Sequence, residues 1–343
     1  MKEYLLKEIA NVKNGYAFDS SKYSDKGIPI IRIADIKDNI DLSKCVCIDE
    51  EINKEFLIKK GSLLIALSGA TTGKMAVFSD NKIAYLNQRI CSIYTKNEDI
   101  SQEFLIYFLK SIQKKIIVNS YGGAQPNISS RWIENIKIKA PNIEIQKKIS
   151  KKLELLENNI KSRKSQLLFL NELNKSLFTT MFGDIKTNDK NWEIYYWKDV
   201  LNIKNGKNQK QVEDINGKYP IYGSGGIIGR SNAYICNENS IIIGRKGNIN
   251  KPILVKEKFW NVDTAFGLEV KSEKMSYHYL YYFCLFYDFE IHNKAVTIPS
   301  LVKSDLEKIV LPIPPMELQN KFAERIEKIE KLKFTRKNKK VSA

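Results

Sequence analysis

Residues 135–149 read NIKIKAPNIEIQKKI, and residues 308–322 read KIVLPIPPMELQNKF. The second stretch repeats the first 173 positions later, with apolar, proline, glutamate and glutamine positions in the same order. An internal repeat decides how a whole chain is divided, because each copy must fold as one structural unit. Among the identical positions are Pro141 with Pro314, Glu144 with Glu317, and Gln146 with Gln319.

The repeat extends to the beginning of each copy, at a different offset. The stretch LKEIANVKNG at 6–15 resembles WKDVLNIKNG at 197–206, which lies 191 positions later. The offset falls to 173 near the end, so the second copy is 18 residues shorter in its middle. Each copy therefore consists of a variable body followed by a common tail.

The composition is typical of a two-domain protein with well-formed cores. The chain has 343 residues, of which 43% are hydrophobic and 28% are charged. No apolar run approaches the ~20 residues that cross a bilayer, and the N-terminus lacks the apolar core of a signal peptide. Five cysteines without a C-x-x-C pair, together with two histidines, offer no zinc spacing and favour a reducing, cytoplasmic location.

The net charge of +17 favours a polyanionic partner. Nucleic acid is the first candidate, and an anionic membrane surface is the second. A Lys-rich chain from an AT-biased genome would carry the same excess, so charge alone leaves the partner open.

The bodies are predicted to be mixed α and β, because short apolar runs alternate with Gly and Asn turns. One short amphipathic helix is expected in each body, at Gln102–Lys114 and near Ser276–Tyr287. The expected strands are Ile28–Ile33, Ser62–Leu67, Lys74–Phe78 and Gln88–Tyr94 in the first body, and Ser240–Gly244, Ile253–Lys256 and Ala265–Val270 in the second.

The tails are predicted to be helices that pack together. From Ile149 to Leu177, seven of nine positions at alternating spacings of four and three residues are apolar, which is typical of a coiled-coil seam. Arg163 and Asn174 are the polar exceptions. A helix over 144–180 would be about 55 Å long; a long surface helix on one domain is the simpler alternative. The predicted packing residues are Ile149, Leu153, Leu156, Ile160, Leu167, Leu170, Leu177, Phe322, Ile326 and Ile329.

These features together resemble one family, the specificity subunits of type I restriction–modification systems. The resemblance covers almost the whole chain, in order and twice. In the first copy it is carried by GSLLIALSGATTGKMAVF at 61–78 and by residues 121–149. In the second it is carried by YPIYGSGGIIGRSNAYI at 219–235, SIIIGRKGNINKPILV at 240–255 and FWNVDTAFGLEV at 259–270.

The resemblance implies an α+β fold with an internal pseudo-two-fold repeat. Two strand-rich α/β target-recognition domains would be separated by two long antiparallel helices, and each domain would contact one half of a split, asymmetric DNA target. The domains implied are residues 1–141 and 184–315. The helices implied are a central spacer at 142–183 and a C-terminal helix at 316–343, which is shorter than is usual in the family.

The partners implied are double-stranded DNA, two methyltransferase subunits docked on the helices, and restriction–translocase subunits that join through the complex. The chain itself would direct N6-adenine methylation or cleavage without catalysing either. S-adenosylmethionine, ATP and magnesium would be bound by the partner subunits, and no membrane would be involved.

The candidate DNA-binding residues are polar or planar side chains in the two bodies. Arg pairs bidentately with guanine and Asn or Gln with adenine, whereas Lys more often binds phosphate. In the first body the candidates are Lys22, Arg32, Thr72, Lys74, Gln88, Arg89, Tyr121 and Gln125. In the second they are Tyr222, Ser224, Arg230, Arg245, Lys246, Asn248, Lys251 and Lys294.

Motifs for catalysis are incomplete. The stretch GATTGK at 69–74 has three residues between its glycines where a phosphate-binding loop needs four, and Met75 follows the lysine. The glycines of 223–229 do not match a dinucleotide fingerprint. A stand-alone nuclease or methyltransferase, or an adaptor that uses the helices for other partners, remains the alternative.

The helical spacer generates a testable prediction. If the central helix sets the distance between the half-sites, inserting helical residues near Asn171 will lengthen the DNA spacer that the complex accepts, because each residue adds about 1.5 Å. The methylated motif of a strain carrying the insertion measures that spacer. A spacer that stays fixed would contradict the role of the helix as a ruler.

Overall fold

The computed structural model describes residues 1–37, 39–50, 52–120 and 126–338, with side chains up to Lys333. Two of the candidate residues, Tyr121 and Gln125, lie outside these ranges. The chain forms two compact units, Met1–Lys161 and Ser162–Ala343, and the division falls within one long helix. No helix in the described ranges is both long and apolar enough to cross a membrane.

The first unit begins with a short strand and ends in the long helix. Its strands are β1 (Lys2–Leu5), β2 (Ala10–Asn14), β3 (Ile28–Ile31), β4 (Cys47–Ile48), β5 (Leu63–Ala66), β6 (Met75–Val77), β7 (Tyr85–Leu86), β8 (Ile90–Thr95) and β9 (Lys137–Ala140). Its helices are α1 (Leu6–Ile9), α2 (Gln102–Ser111), α3 (Gln113–Val118), α4 (Ser130–Glu134) and α5 (Ile143–Phe182), the last of which continues into the second unit.

The second unit repeats this order of elements. Its strands are β10 (Glu193–Tyr196), β11 (Leu201–Asn205), β12 (Tyr219–Gly223), β13 (Gly226–Ser231), β14 (Ser240–Gly244), β15 (Ile253–Val255), β16 (Trp260–Asn261), β17 (Ala265–Val270) and β18 (Val310–Ile313). Its helices are α6 (Trp197–Val200), α7 (Tyr277–Phe286), α8 (Lys303–Leu306) and α9 (Met316–Asn338).

The sheets of the two units have matching topology. An antiparallel four-stranded sheet has the order β2-β8-β5-β6 in the first unit and β11-β17-β14-β15 in the second. A three-stranded sheet follows, β4-β3-β7 or β13-β12-β16, and an antiparallel pair, β1-β9 or β10-β18, closes each unit. The predicted mixed α and β bodies and their strands are therefore confirmed, although the first predicted helix breaks at Ile112 into α2 and α3.

The glycine of each KNG triplet is required by a close backbone approach. A Cβ on Gly15 would lie 2.0 Å from the Leu86 carbonyl oxygen, and one on Gly206 would lie 1.8 Å from that of Val262. Only glycine lets the chain at the end of β2 or β11 pass so near the end of β7 or β16. This explains why the triplet recurs at the start of each copy.

The repeated glutamine fixes the beginning of each tail helix to its own body. Gln319 is fully buried. Its amide nitrogen donates to the carbonyls of Lys274 (2.9 Å) and Pro314 (2.7 Å), and its amide oxygen accepts from the Ser276 backbone N–H (2.8 Å). One side chain thereby joins the start of α7, the end of β18 and the first turn of α9.

Gln146 makes the equivalent contacts in the first unit. It is also fully buried, and it donates to the carbonyls of Asp99 (2.7 Å) and Pro141 (2.8 Å). Its oxygen accepts from the Ser101 N–H at 3.0 Å. Because a buried amide costs free energy unless all its polar atoms are paired, this residue can be kept only where the three partners are in place.

In the second unit the end of α5 packs antiparallel to α9. The ring of Phe322 lies 5.6 Å from that of Phe178 and 5.0 Å from that of Phe182. Eight residues later on α9, Glu330 accepts a hydrogen bond from Asn174, which precedes those phenylalanines on α5. The predicted antiparallel packing of the two tails is therefore present in this unit.

Asn174 is the polar residue of that seam, as predicted. It is 3% exposed and donates to Glu330 Oε1 (2.9 Å) and to the Tyr282 hydroxyl (3.2 Å). Burial acts to raise the pKa of Glu330, but hydrogen bonds from Lys333, Asn174 and Tyr282 outweigh it and hold the pKa below its usual value. The carboxylate therefore stays charged at neutral pH and accepts hydrogen bonds from α5, from α7 and from Lys333 on its own helix.

The seam forms over only part of the predicted length. Phe322, Ile326 and Ile329 are buried, and Leu170 and Leu177 pack against them. In the first unit the corresponding side chains of Ile149, Leu156 and Ile160 are 37%, 57% and 45% exposed, and Leu153 is half-buried. Within the described part of the first unit these four side chains have no helix seam of that kind, so their packing against a second helix stays a prediction.

The buried glutamine gives a stability prediction. Gln319→Leu should lower the free energy of unfolding by about 2–4 kcal/mol, because it leaves the Ser276 N–H and two carbonyls buried without partners. Asn320→Ala, one residue away on the exposed side of α9, is the matched control and should be nearly neutral. Urea unfolding followed by circular dichroism measures both, and equal effects would contradict the role assigned to Gln319.

Candidate nucleic-acid interface

Three loops of the second unit converge at the end of the strand β14. The turn at 245–251 follows β14. The loop at 293–301 lies against this turn, and residues 222–224 lie at the end of the strand β12. The Gly247 N–H donates to the Pro299 carbonyl (2.9 Å), and the Leu301 N–H donates to that of Arg245 (2.9 Å). Gly247 has φ +80°, and a Cβ on it would lie 3.9 Å from the Ser224 hydroxyl.

The first unit builds the same junction from corresponding residues. The Gly69 N–H donates to the Pro126 carbonyl (3.1 Å), and the Ile128 N–H donates to that of Leu67 (2.8 Å). A Cβ on Gly69 would lie 3.8 Å from Ile33. The turn at 68–74 therefore contacts both the segment after β3 and the described end of the loop before Ile128.

A fourth segment completes each junction. In the first unit the Leu67 N–H donates to the Arg89 carbonyl (2.8 Å), so the turn at 87–89 lies beside the glycine turn. In the second unit the Arg245 N–H donates to the Thr264 carbonyl at 2.8 Å. Both units thus present four loops at one edge of the sheet, held by the same backbone hydrogen bonds.

The glycine turn of the second unit carries exposed cations. Arg245, Lys246, Asn248 and Lys251 are all exposed. The guanidinium of Arg245 lies 5.9 Å from the centre of the Phe266 ring and donates to the Asp263 carbonyl (3.4 Å). These two contacts position the guanidinium of Arg245, which carries further N–H groups for a ligand. Ser224 lies next to this turn, so the structure brings these five predicted residues together.

Three other predicted residues of the second unit have structural partners. Arg230 donates to the carbonyls of Gly217 (2.6 Å) and Lys218 (2.8 Å), so its guanidinium secures the turn before β12. Tyr222 packs edge-on against Phe259, and its burial raises the pKa of its hydroxyl. Lys294 pairs with Asp305 at 2.5 Å.

In the first unit the predicted residues Lys74, Gln88 and Arg89 are exposed and lie at the junction. Thr72 is 8% exposed, and its hydroxyl donates to the carbonyls of Gly69 (2.6 Å) and Pro126 (3.0 Å). Its polar group is therefore used to close the turn, which corrects the expectation that Thr72 presents a free donor.

Arg32 and Lys22 are each paired with an acid in the first unit. Arg32 lies 3.5 Å from Asp35 and over the ring of Tyr23. Lys22 lies 2.9 Å from Glu50, and hydrogen bonding to that carboxylate raises the pKa of the lysine. Both cations remain at least one-third exposed.

Sequence reasoning missed apolar side chains at the second junction. Val296 and Ile298, on the loop at 293–301, are 102% and 60% exposed, and Asn293 holds the loop by accepting from the N–H groups of Ala295 and Ser300. The candidate DNA-binding residues were chosen among polar or planar side chains, so Val296 and Ile298 were left out. The repeat could have identified this loop, because residues 294–300 correspond to residues 121–127 at the offset of 173.

The described residues do not provide a recognisable catalytic centre. Across the described ranges, no cluster of three or more His, Cys, Asp or Glu side chains could hold a metal ion. All five cysteines are buried and unpaired, and burial raises the pKa of Cys91 to about 12. Trp197 is buried in the core, while Trp192 and Trp260 donate to backbone carbonyls.

Relatives of known type align with this chain over most of its length. A specificity subunit of the type I restriction enzyme MjaVIII from Methanocaldococcus jannaschii is 24% identical over 82% of this chain and 75% of its own length. The putative MjaX specificity subunit of the same organism is 24% identical over 95% of this chain and 86% of its own length.

Solved structures share the fold. The S subunit of a type I restriction-modification system from M. genitalium superimposes with a TM-score of 0.68, at 16% identity, over 98% of this chain and 91% of its own. The family described as the Type I restriction modification DNA specificity domain matches residues 1–170 and 189–342. Together these matches cover both copies of the repeat, and the chain belongs to this family of DNA specificity domains.

Proposed function

We propose that this chain is the subunit that recognises DNA for a type I restriction–modification complex, and that each unit binds one half of a split, asymmetric target. The observation that carries the proposal is the four-loop junction, in which three matching backbone hydrogen bonds recur in both units while the exposed side chains differ. Two domains that bind unlike half-sites can share a scaffold, but they need different surface residues.

The chemistry of the junctions matches that of duplex DNA. Arg245 in the second unit and Arg89 in the first present guanidinium groups that can pair bidentately with guanine, while Asn248 and Gln88 can pair with adenine. Lys246, Lys251 and Lys74 supply cations for phosphate. Val296 and Ile298 add apolar contacts suited to the methyl group of thymine.

The partners follow from the same proposal. Methyltransferase subunits would dock on the tail helices and carry out N6-adenine methylation, and restriction–translocase subunits would join through them. S-adenosylmethionine, ATP and magnesium would be bound by those partners. One chain with two unlike domains can serve an asymmetric site, whereas a symmetric dimer mirrors its own two-fold axis in its target.

Two substitutions on the glycine turn test the proposal. In the complex with its methyltransferase, Arg245→Ala should weaken target binding by about 1–3 kcal/mol and relax preference at one base pair. Lys246→Ala should weaken binding to all sequences alike and reduce the slope of log affinity against log salt by about one. Fluorescence anisotropy over a salt series, with base-substituted duplexes, measures both effects.

The matched control removes one exposed lysine that lies outside both the junction and the tail helices. Lys190→Ala changes the net charge by the same amount, in the connection between α5 and β10. Its affinity and salt slope should stay at the parent values. If Lys190→Ala weakened binding as much as Lys246→Ala, the effect would be one of net charge and the proposed interface would be wrong.

A further inference from the structure

Three β-branched residues in succession lie exposed in the loop at 293–301 of the second unit. Val296 is 102% exposed, Ile298 is 60% exposed, and Thr297 between them is exposed as well. We call residues 296–298 the apolar tip. Val296 contributes nothing to the core of the unit, so folding does not require an aliphatic side chain at that position.

The apolar tip is held in place from both sides. The side-chain oxygen of Asn293 accepts from the N–H groups of Ala295 and Ser300, both at 3.0 Å, and so closes the loop around the tip. The Pro299 carbonyl accepts from the Gly247 N–H at 2.9 Å, which fixes the loop to the turn at 245–251. The tip therefore has a set position beside that turn before any ligand binds.

The side chains of the tip are themselves restricted. Two heavy substituents on Cβ limit the rotation of χ1 in Val, Ile and Thr, so these residues lose little side-chain entropy when they are contacted. A surface that is ordered in advance binds at a lower entropic cost. Both the loop and its side chains are thus suited to a close apolar contact.

The tip differs in chemistry from the turn beside it. Arg245, Lys246 and Lys251 on the turn are exposed cations. The lysine of the loop, Lys294, pairs with Asp305 at 2.5 Å, so its charge is already balanced. The tip offers methyl groups beside donors and cations, which does not match a phosphate backbone but does match the edge of a base that carries a methyl group.

We propose that the apolar tip recognises the 5-methyl group of a thymine in the half-site bound by the second unit. The thymine methyl is the apolar group that base pairs display in the major groove, and the minor groove displays none. Aliphatic side chains and the methyl of threonine are suited to contact it. This inference rests on the proposed function and adds to it which base feature the loop selects.

The sequence of the first unit predicts that this contact belongs to one half-site only. At the offset of 173, Gly123, Ala124 and Gln125 take the places of Val296, Thr297 and Ile298. None of these three residues is β-branched. Loss of a thymine methyl should therefore weaken binding at the half-site of the second unit, and the other half-site should not show an effect that depends on residues 296–298.

The experiment replaces each thymidine of the target by deoxyuridine, one at a time, in fluorescein-labelled duplexes that carry the motif found in the adenine methylome. Deoxyuridine keeps every Watson–Crick hydrogen bond and lacks only the methyl group. We expect one position in the half-site of the second unit at which uracil weakens binding by the complex with its methyltransferase by about three- to tenfold. Fluorescence anisotropy measures the affinities.

The variant that carries both Val296→Ala and Ile298→Ala should bind the thymine and uracil duplexes with affinities that agree within about twofold, because the contact is already absent. Ile215→Ala is the matched control. Ile215 is 89% exposed, and it precedes β12, whose other end lies at the junction. That variant should keep the full difference between thymine and uracil. Equal urea midpoints for the three proteins verify that folding is unchanged.

Three results would overturn the inference while leaving DNA recognition intact. One is specific binding that no uracil substitution changes. Another is a uracil effect that persists in the double variant, since the methyl group would then contact other residues. The third is a double variant that binds thymine and uracil duplexes equally more weakly than the parent by the same factor, as insertion of the tip between base pairs would produce.

Failure of the proposed function itself has a different signature. The complex would then show no preference for the motif over an unrelated duplex of equal length, whichever pyrimidine is present. A preference for the motif without any uracil effect therefore rejects the thymine contact alone.

Discussion

The buried side-chain amide at the base of each tail helix is the contact on which the rest of the architecture depends. Gln146 and Gln319 are both fully buried, and each bonds two carbonyls and one N–H drawn from three elements. These bonds fix the direction in which a helix leaves its own body. A rigid helix can orient the proposed DNA-binding edge only if its attachment to the body that carries that edge is fixed as well.

The two units share their sheet topology and junction hydrogen bonds, but they differ in their exposed side chains. Both place a glycine turn, a proline loop and two further loops at one edge of a four-stranded sheet, with matching backbone hydrogen bonds. Hydrogen bonds between main-chain atoms do not depend on which side chains are present. The exposed residues of the turn can therefore change, from Lys74 in one unit to Arg245 and Lys246 in the other, without altering the scaffold.

The sequence indicated much of the fold, because the repeat and the alternation of short apolar runs with glycine turns are local signals. β14 and β17 have the predicted bounds, and the antiparallel tails are found in the second unit. The sequence did not predict that four loops of each unit converge at one junction, because contacts between residues far apart in sequence bring them together. Thr72 and Arg230 show the same limit: their polar groups are used by backbone carbonyls that only the folded chain brings near.

The helical pattern predicted which residues are apolar but not which of them are covered. Ile149 and Phe322 occupy corresponding positions of the repeat, yet one is 37% exposed and the other 0%. Burial depends on whether a second helix is present, and a pattern within one helix does not contain that information. The polar residue Asn174 was more informative, because an amide in an apolar seam needs a partner, and it has two.

We propose that the two units recognise two halves of one target independently. The most direct measurement is the adenine methylome of a strain that carries the methyltransferase partner, with the parent gene, without it, and with Arg245, Lys246 and Asn248 all replaced by Ala. We expect a split, asymmetric motif that requires the gene, and a triple variant that loses or relaxes only one half of it. A motif that persists without the gene, or two halves that change together, would contradict independent recognition.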